Sequence, residues 1–154
     1  MIHLDSHSED QTHQLSYSLG VLIENPCCIA LQGNLGAGKT CFVQGLAAGM
    51  GIEDDVVSPT FSIIHELNGK IDLLHSDLYR LEEHDLPNLG LEEMFEDFDG
   101  VVIIEWADKF PELLPQDTLF VNIDIQDQAR KFLVYGTGPV SKQLCEKWHS
   151  AVEK

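Results

Sequence analysis

The sequence predicts an α/β protein in which helices cover a mainly parallel sheet. Two short apolar segments, residues 27–31 and 101–104, have the length and composition of central parallel strands. Over residues 39–50, apolar side chains recur every three or four positions, which is the periodicity of a helix. An Asn68-Gly69 pair between two apolar-rich segments is a strong hairpin signal. We therefore expect a three-layer α/β domain whose parallel sheet gains antiparallel strands from the hairpin.

The other elements follow from shorter patterns. Apolar spacing and a capping residue predict a helix from Ser8 to Ile23, with Ser8 as its N-cap. The remaining expected elements are a hairpin of residues 62–67 and 70–76 with a two-residue turn, one or two short helices within 81–99, a short helix at 107–114, strands at 118–125 and 131–135, and a helix at 141–154 capped by Ser141. We interpret the acidic face of residues 81–99 as solvated, with an interaction surface as the alternative.

Length and composition bound the class of protein. The 154 residues, 44% of them apolar, predict a single domain over residues 1–154. No apolar run approaches 18 residues and the first 14 residues are mostly polar, so we expect a cytoplasmic protein without a membrane span or signal peptide. No C-x-x-C pair occurs, and we expect small buried thiols in a reducing compartment at Cys27, Cys28, Cys41 and Cys145.

The charge is strongly negative. Nine Lys and Arg stand against 26 Asp and Glu, which gives a formal net charge of −17. A surface of this sign repels phosphates and anionic lipids, so unaided binding to RNA, DNA or a membrane is disfavoured. The acidity either serves solubility or favours contact with a basic partner protein, and composition leaves both open.

The strongest functional motif is the segment from Gly33 to Thr40, which has the phosphate-loop pattern G-x-x-x-x-G-K-[S/T]. A predicted buried strand precedes it and a predicted helix follows it, as that motif requires. We expect Lys39 to reach the β- and γ-phosphates of a nucleoside triphosphate and Thr40 to ligate magnesium. The predicted nucleotide contacts of the loop are Gly33, Leu35, Gly36, Ala37, Gly38, Lys39, Thr40 and the adjoining Cys41.

Two carboxylates and one hydroxyl are candidates for the catalytic groups. Glu105 ends the second apolar strand, where a phosphate-loop enzyme presents an acid to magnesium or to the attacking water. Asp77 ends the second hairpin strand and suits the same task, because the usual aspartate is missing from the strand before Glu105. Thr60 follows Pro59 and is either a sensor of the γ-phosphate or a strand-entry residue without a ligand. Trp106 could shield the site.

Residues further from the loop are weaker candidates. The chain has only two arginines, so an arginine that neutralises transition-state charge from within the chain must be Arg80 or Arg130. Arg130 could face the nucleotide or the acidic surface. Thr12 could touch the base, although capping or solvent contact is the simpler role. His75 we interpret as a packing residue.

Four motifs together resemble the bacterial TsaE (YjeE) family across nearly the full length. They are Gly33–Thr40, Ser58–Phe61, His75–Leu81 and Ile104–Ala107. Asn34 and Cys41 depart from the residues that the family often has there, without changing a fixed position of the loop.

The resemblance implies a small ATPase needed for the threonylcarbamoyladenosine modification of tRNA. Such a protein binds ATP, hydrolyses it slowly and acts on a complex of TsaD and TsaB, so that tRNA is met only through that complex. The resemblance also implies that Thr40 and Glu105 ligate magnesium and that Asp77 and Thr60 complete the site. Thr12 and Arg130 fit family positions near the nucleotide.

Two other functions stay open on the residues alone: a small-molecule kinase, and a nucleotide-gated binding module with vestigial catalysis. The scarcity of arginine counts against the kinase, because such enzymes usually cage two phosphate groups with several arginines. The absence of an Asn-Lys-x-Asp guanine reader counts against a GTPase.

Overall fold

The computed structural model describes residues 1–34, 36–53, 56 and 64–153. Its strands are β1 Ile2–Ser6, β2 Cys27–Gly33, β3 Ile64–Leu67, β4 Asp72–Asp77, β5 Gly100–Glu105, β6 Leu119–Gln126 and β7 Ala129–Gly136. They form one sheet in the order β1-β7-β6-β2-β5-β4-β3. The four middle strands β6, β2, β5 and β4 are parallel, and antiparallel strands extend both edges. The predicted α/β class is confirmed.

Helices cover both faces of this sheet. They are α1 Glu9–Leu22, α2 Lys39–Gly49, α3 Leu91–Asp97 and α4 Pro139–Val152, with 3₁₀ helices at Glu83–Asn88, Ala107–Lys109 and Pro111–Leu113. Alternate side chains of β2 point to opposite faces, so Ile29 and Leu31 pack with α1, α2 and α4, while Cys28 and Ala30 pack with α3 and its neighbouring turns. Among the described residues, no helix is long and apolar enough to cross a membrane.

The register of the parallel strands brings the ends of three strands together. Leu31 of β2 lies opposite Glu105 of β5, and Glu105 lies opposite Asp77 of β4. The phosphate-loop segment leaves β2 at the same edge and leads directly into α2. Ligands of open α/β sheets bind outside the carboxyl ends of the strands, so the candidate groups converge where such a site is expected.

Four local predictions need correction. β1 was not predicted; it is an edge strand in which only Leu4 and Ser6 are buried, and its pairing with β7 decides its conformation. The hairpin turn is longer than two residues, because Leu67 pairs with Leu73 and the Gly69 amide donates to Asp72 Oδ1 at 3.2 Å.

The other two corrections concern ends of helices. Residues 107–114 form two short 3₁₀ segments, the second beginning at Pro111, and no single helix. The last helix, α4, begins at Pro139, so its N-cap residue is Gly138 and not Ser141. Ser141 lies in the first turn, where its Oγ accepts a hydrogen bond from the Gly138 amide at 3.1 Å. Asp117 accepts hydrogen bonds from the amides of Val140 and Ser141 at 2.8 and 2.9 Å, a capping contact from a distant segment. In contrast, Ser8 caps α1 as predicted.

The close packing of α1 on α2 yields a stability prediction. A Cβ at Gly45 of α2 would overlap Ser16 Oγ and the carbonyl oxygen of His13. We expect Gly45→Ala to lower the free energy of unfolding by about 1–3 kcal/mol, because the helices must separate to admit the methyl group. Chemical denaturation measures this change. Gln44→Ala, at an exposed position of the same helix, is the control, and equal stability of both variants would contradict the prediction.

Candidate functional site

The glycine-rich loop begins at the end of β2 and opens into the N-terminus of α2. Gly36 and Gly38 have φ angles of 81° and 102°, which other residues rarely adopt. Gly33 is required for a different reason, which is the close approach of the backbone to β6. A Cβ at Gly33 would lie 2.8 Å from the carbonyl oxygen of Ile123. The N-cap residue of α2 is Gly38, and no side chain of the described residues caps this helix. Free amides at a helix start form an anion-binding site, so this segment has the geometry that a phosphate group needs.

Lys39, the first residue of α2, supplies a cation at the edge of the sheet where the parallel strands have their carboxyl ends. The residue is only 6% exposed, and its Nζ donates to the carbonyl oxygen of Gly33 and to that of Asn34 at 3.3 Å. The ammonium also lies 3.9 Å from the centre of the Trp106 ring. Burial lowers the pKa of Lys39, and the carboxylates of Glu105 and Asp77 act in the opposite direction.

Glu105 and Asp77 are the two acids at the ends of the strands. Glu105 is buried, with 3% of its surface exposed, whereas Asp77 is half-buried. Asp77 Oδ1 accepts a hydrogen bond from the Tyr79 amide at 2.9 Å. Burial raises the pKa of Asp77, and the nearby Glu105 adds to the rise, while the Tyr79 amide, His75 and Lys39 oppose it. An acidic pair therefore faces one buried cation.

His75 was interpreted from the sequence as a packing residue, and the structure gives it a polar partner. Its Nε2 lies 2.5 Å from Glu105 Oε2, and the His75 side chain is fully buried. The spacing His75-x-Asp77 on a strand could have indicated this contact only if the register between β4 and β5 had been known. His75 is the residue that the sequence analysis missed.

Trp106 follows Glu105 with a φ of 59°, an unusual conformation for a residue with a side chain. Its ring contacts Tyr79 with 4.8 Å between the ring centres, and Lys39 lies over the same indole. Lys109 Nζ donates to the Tyr79 carbonyl oxygen at 2.6 Å. The indole therefore covers the cation and one side of the candidate site.

A cleft of about 260 Å³ lies on the other side of the loop, toward α1 and β7. It brings together three candidates from distant parts of the sequence, Thr12, Cys41 and Arg130. Arg130 Nη2 donates to the Gly36 carbonyl oxygen at 3.4 Å, and Cys41 Sγ donates to that of Glu9 at 3.2 Å. Thr12 is only 2% exposed, and its hydroxyl pairs with Ser6 Oγ at 2.7 Å.

The structure does not place every remaining candidate. Thr60 and Leu35 lie outside the described residues. Arg80 is exposed just beyond the end of β4. The pKa of Cys28 is raised to about 12, mainly by burial, as is that of Cys27, which agrees with their expected role as apolar thiols.

The raised pKa of Asp77 predicts how stability depends on pH. The folded protein keeps the Asp77 proton to a higher pH than the unfolded chain, so stability falls as pH rises from about 4 through the folded pKa. In the variant Asp77→Asn, the side chain at this position is uncharged at every pH. We therefore expect this variant to unfold at a higher temperature than the wild type at pH 7 in metal-free buffer, with the difference shrinking toward pH 4.

The exposed Asp99→Asn is the control for this pH prediction, because it also removes one negative charge from an acidic protein. Thermal unfolding of the three proteins between pH 4 and 8 in EDTA makes the comparison. A lower unfolding temperature for Asp77→Asn than for the wild type at pH 7 would contradict the prediction.

Comparisons with known proteins agree with this geometry. A family model described as "Threonylcarbamoyl adenosine biosynthesis protein TsaE" matches residues 6–132. The tRNA threonylcarbamoyladenosine biosynthesis protein TsaE of Treponema pallidum is 37% identical over 121 residues, which cover 78% of this chain and 89% of that protein. The protein of the same name from Bacillus subtilis is 43% identical over 121 residues, covering 77% of this chain and 75% of its own.

A solved structure is similar over the whole fold. The crystal structure of YdiB from Bacillus subtilis superposes with a TM-score of 0.82 at 29% identity, covering 98% of this chain and 95% of that one. The sheet and the loop between β2 and α2 thus define a P-loop NTPase-like α/β protein. Because the family model spans most of the chain and the relatives above exceed 30% identity, the chain belongs to the TsaE family of threonylcarbamoyladenosine biosynthesis proteins.

Proposed function

We propose that this chain is one ATPase domain over residues 1–154, which binds ATP with magnesium and hydrolyses it in support of tRNA threonylcarbamoyladenosine synthesis. One observation carries the proposal. Lys39, Glu105 and Asp77 meet at the carboxyl edge of the parallel strands, beside the uncapped start of α2. A cation and free amides suit the phosphates, and the two acids suit a metal ion or a water molecule.

Each residue has a proposed task in this reaction. The loop from Gly33 to Thr40 binds the phosphates through its amides, and Lys39 exchanges its carbonyl partners for phosphate oxygens. Glu105 and Asp77 orient the metal or the attacking water, and Thr60 senses the γ-phosphate. Trp106 excludes water from the side of the site that it covers.

The oxygen ligands available at the candidate site fit magnesium. The Thr40 hydroxyl and the carboxylates of Glu105 and Asp77 are hard oxygen ligands, which this ion prefers. Among the described residues, no three His, Cys, Asp or Glu side chains are grouped to hold a metal by themselves. This matches a magnesium ion bound by one or two carboxylates together with nucleotide phosphates. When bound, magnesium neutralises the charge that develops on the phosphate oxygens.

The cleft beside the loop is the proposed place for the rest of the nucleotide. Arg130 and Cys41 line it directly, and both were proposed as nucleotide contacts. Thr12 shapes the wall, where its hydroxyl is already paired with Ser6. Arg130 is therefore a better candidate than Arg80 for an arginine that contacts ATP.

The proposed partners are TsaD and TsaB, with tRNA bound only through their complex. Family membership supports an action in this pathway. The formal charge of −17 supports an indirect role, because an acidic body repels the tRNA backbone. Hydrolysis by the isolated protein is expected to be slow, and a partner would raise the rate.

The test is the rate of ATP hydrolysis with magnesium, first for the purified protein and then with TsaD and TsaB. A low rate that rises with the partners supports the proposal. Transfer of labelled phosphate from ATP to a metabolite would instead indicate a small-molecule kinase. If Glu105→Ala left single-turnover hydrolysis unchanged while partner binding still required ATP, the chain would be a nucleotide-gated binding module.

A further inference from the structure

The buried pair of His75 and Glu105 has a specific geometry. His75 lies two residues before Asp77 on β4, so both side chains point to the α2 face of the sheet. Strand register places His75 opposite Ile103 and Asp77 opposite Glu105, which makes His75 and Glu105 diagonal neighbours. The two side chains are 0% and 4% exposed, and 2.5 Å separates Nε2 from Oε2.

Packing alone explains this histidine poorly. An ionised carboxylate only accepts hydrogen bonds, so a carboxylate at Glu105 needs Nε2 of His75 as the donor of this contact. His75 Nδ1 is buried and has no hydrogen-bond partner among the described residues. A leucine would fill similar space without burying a polar ring, because an unpaired buried polar atom costs stability. The presence of a histidine at this position is therefore explained by Nε2, the ring nitrogen that contacts Glu105.

The other polar groups of the site are engaged elsewhere. Lys39 Nζ donates to the carbonyl oxygens of Gly33 and Asn34. Asp77 Oδ1 accepts from the Tyr79 amide. Within the described part of the chain, the hydrogen bond to the Glu105 carboxylate comes from His75. Among the described residues, this is the contact that orients the carboxylate.

We propose that His75 is a positioning residue: its Nε2–H holds Oε2 of Glu105, so that Oε1 keeps a fixed direction toward the metal or the attacking water. This inference rests on the proposed ATPase function. A carboxylate that is fixed before the reaction avoids a reorganisation cost at the moment when charge develops. Hydrogen-bonded partners behind metal-binding carboxylates typically contribute 10- to 100-fold to metal affinity or activity.

The experiment compares His75→Leu, His75→Gln and Ser76→Ala with the wild type. A glutamine side chain carries its amide nitrogen close to the position of histidine Nε2, whereas leucine removes the donor. Ser76 is the control, because it is buried on the same strand, points to the opposite face and likewise has an unpartnered Oγ among the described residues. Three quantities are measured: single-turnover ATP hydrolysis, KM for ATP, and ADP affinity with and without magnesium by calorimetry.

We expect His75→Leu to lower the hydrolysis rate about 10- to 100-fold and to reduce the gain in ADP affinity that magnesium provides. The magnesium-free ADP affinity should stay within about twofold of wild type, since Lys39 and the loop amides are intact. KM for ATP, measured with magnesium, should rise by no more than the loss in the magnesium effect. His75→Gln should recover most of the rate, and Ser76→Ala should match the wild type. A purely structural role for His75 predicts no such rescue and no selective loss of the magnesium effect.

Wild-type hydrolysis by a folded His75→Leu would overturn the inference, as would a folded His75→Gln that is as impaired as His75→Leu. If His75→Leu does not fold, His75→Asn replaces it, because asparagine keeps an amide that is too short to reach Glu105. Equal rates for the Asn and Gln variants would then contradict the inference. A wild-type protein without ATP hydrolysis or magnesium-linked ADP binding would instead contradict the proposed function itself.

Discussion

Lys39→Ala is expected to abolish measurable ATP binding while the protein stays folded. A hydrogen bond to a charged group contributes about 1.5–3 kcal/mol, and Lys39 is proposed to contact two phosphates, so Kd should rise at least about 100-fold. The contacts that Lys39 makes in the structure are with two loop carbonyls and with the Trp106 ring, which packs at the edge of an apolar cluster. No side chain of the cluster interior contacts the ammonium in these interactions, so we expect the fold to persist without it. Calorimetric titration with ATP, together with thermal unfolding, measures both effects.

Lys147→Ala is the matched control for Lys39→Ala. Lys147 is an exposed residue of α4, and its replacement removes the same positive charge from the chain. This variant should bind ATP like the wild type. Retained ATP affinity in Lys39→Ala would refute the phosphate-binding role of the loop lysine, and equal losses in both variants would indicate an effect of net charge only.

Glu105→Gln is expected to lower single-turnover ATP hydrolysis about 10²- to 10³-fold while ATP affinity changes only a few-fold. Glutamine has the shape of glutamate but lacks the charge that orients a metal or accepts a proton from water. Its amide oxygen can still accept the hydrogen bond from His75 Nε2, so the buried pair is preserved. The loss should therefore appear in the chemical step and not in folding.

Glu112→Gln controls for the change of charge, because Glu112 is exposed in the 3₁₀ helix that begins at Pro111. Glu105→Ala gives a useful contrast, since it leaves His75 buried without its partner and should cost about 1–3 kcal/mol of stability. Quench-flow or single-turnover assays with labelled ATP measure hydrolysis. A Glu105→Gln protein that hydrolyses ATP at the wild-type rate would remove Glu105 from the catalytic groups.

The phosphate loop was predictable because all its requirements lie within one short segment. Positive φ angles at Gly36 and Gly38, a lysine at the helix start and an apolar strand before it are readable from consecutive residues. The acid at the end of β5 was predictable for the same reason, since Glu105 directly follows a run that must be buried. The family resemblance rested on these two segments together with Ser58–Phe61 and His75–Leu81, and it is confirmed by the comparisons.

Contacts between distant segments could not be predicted from local sequence patterns. His75 looked like a packing residue because its partner is 30 positions away and is selected by the register of β4 against β5. Thr12 turned toward Ser6 because β1, which supplies that serine, forms only by pairing with β7. Arg130 reaches the loop because β7 runs antiparallel beside β6.

The sequence by itself determined the α/β class, the phosphate loop and the two carboxylates, because periodicity, glycine conformation and burial of apolar runs act over a few neighbouring residues. Only the tertiary structure decided which side chains meet: His75 with Glu105, Lys39 with Trp106, and Arg130 with the loop. A one-residue change in strand register would turn every side chain of β4 to the other face. Such contacts are therefore fixed by the packing of the whole sheet, and no local pattern encodes them.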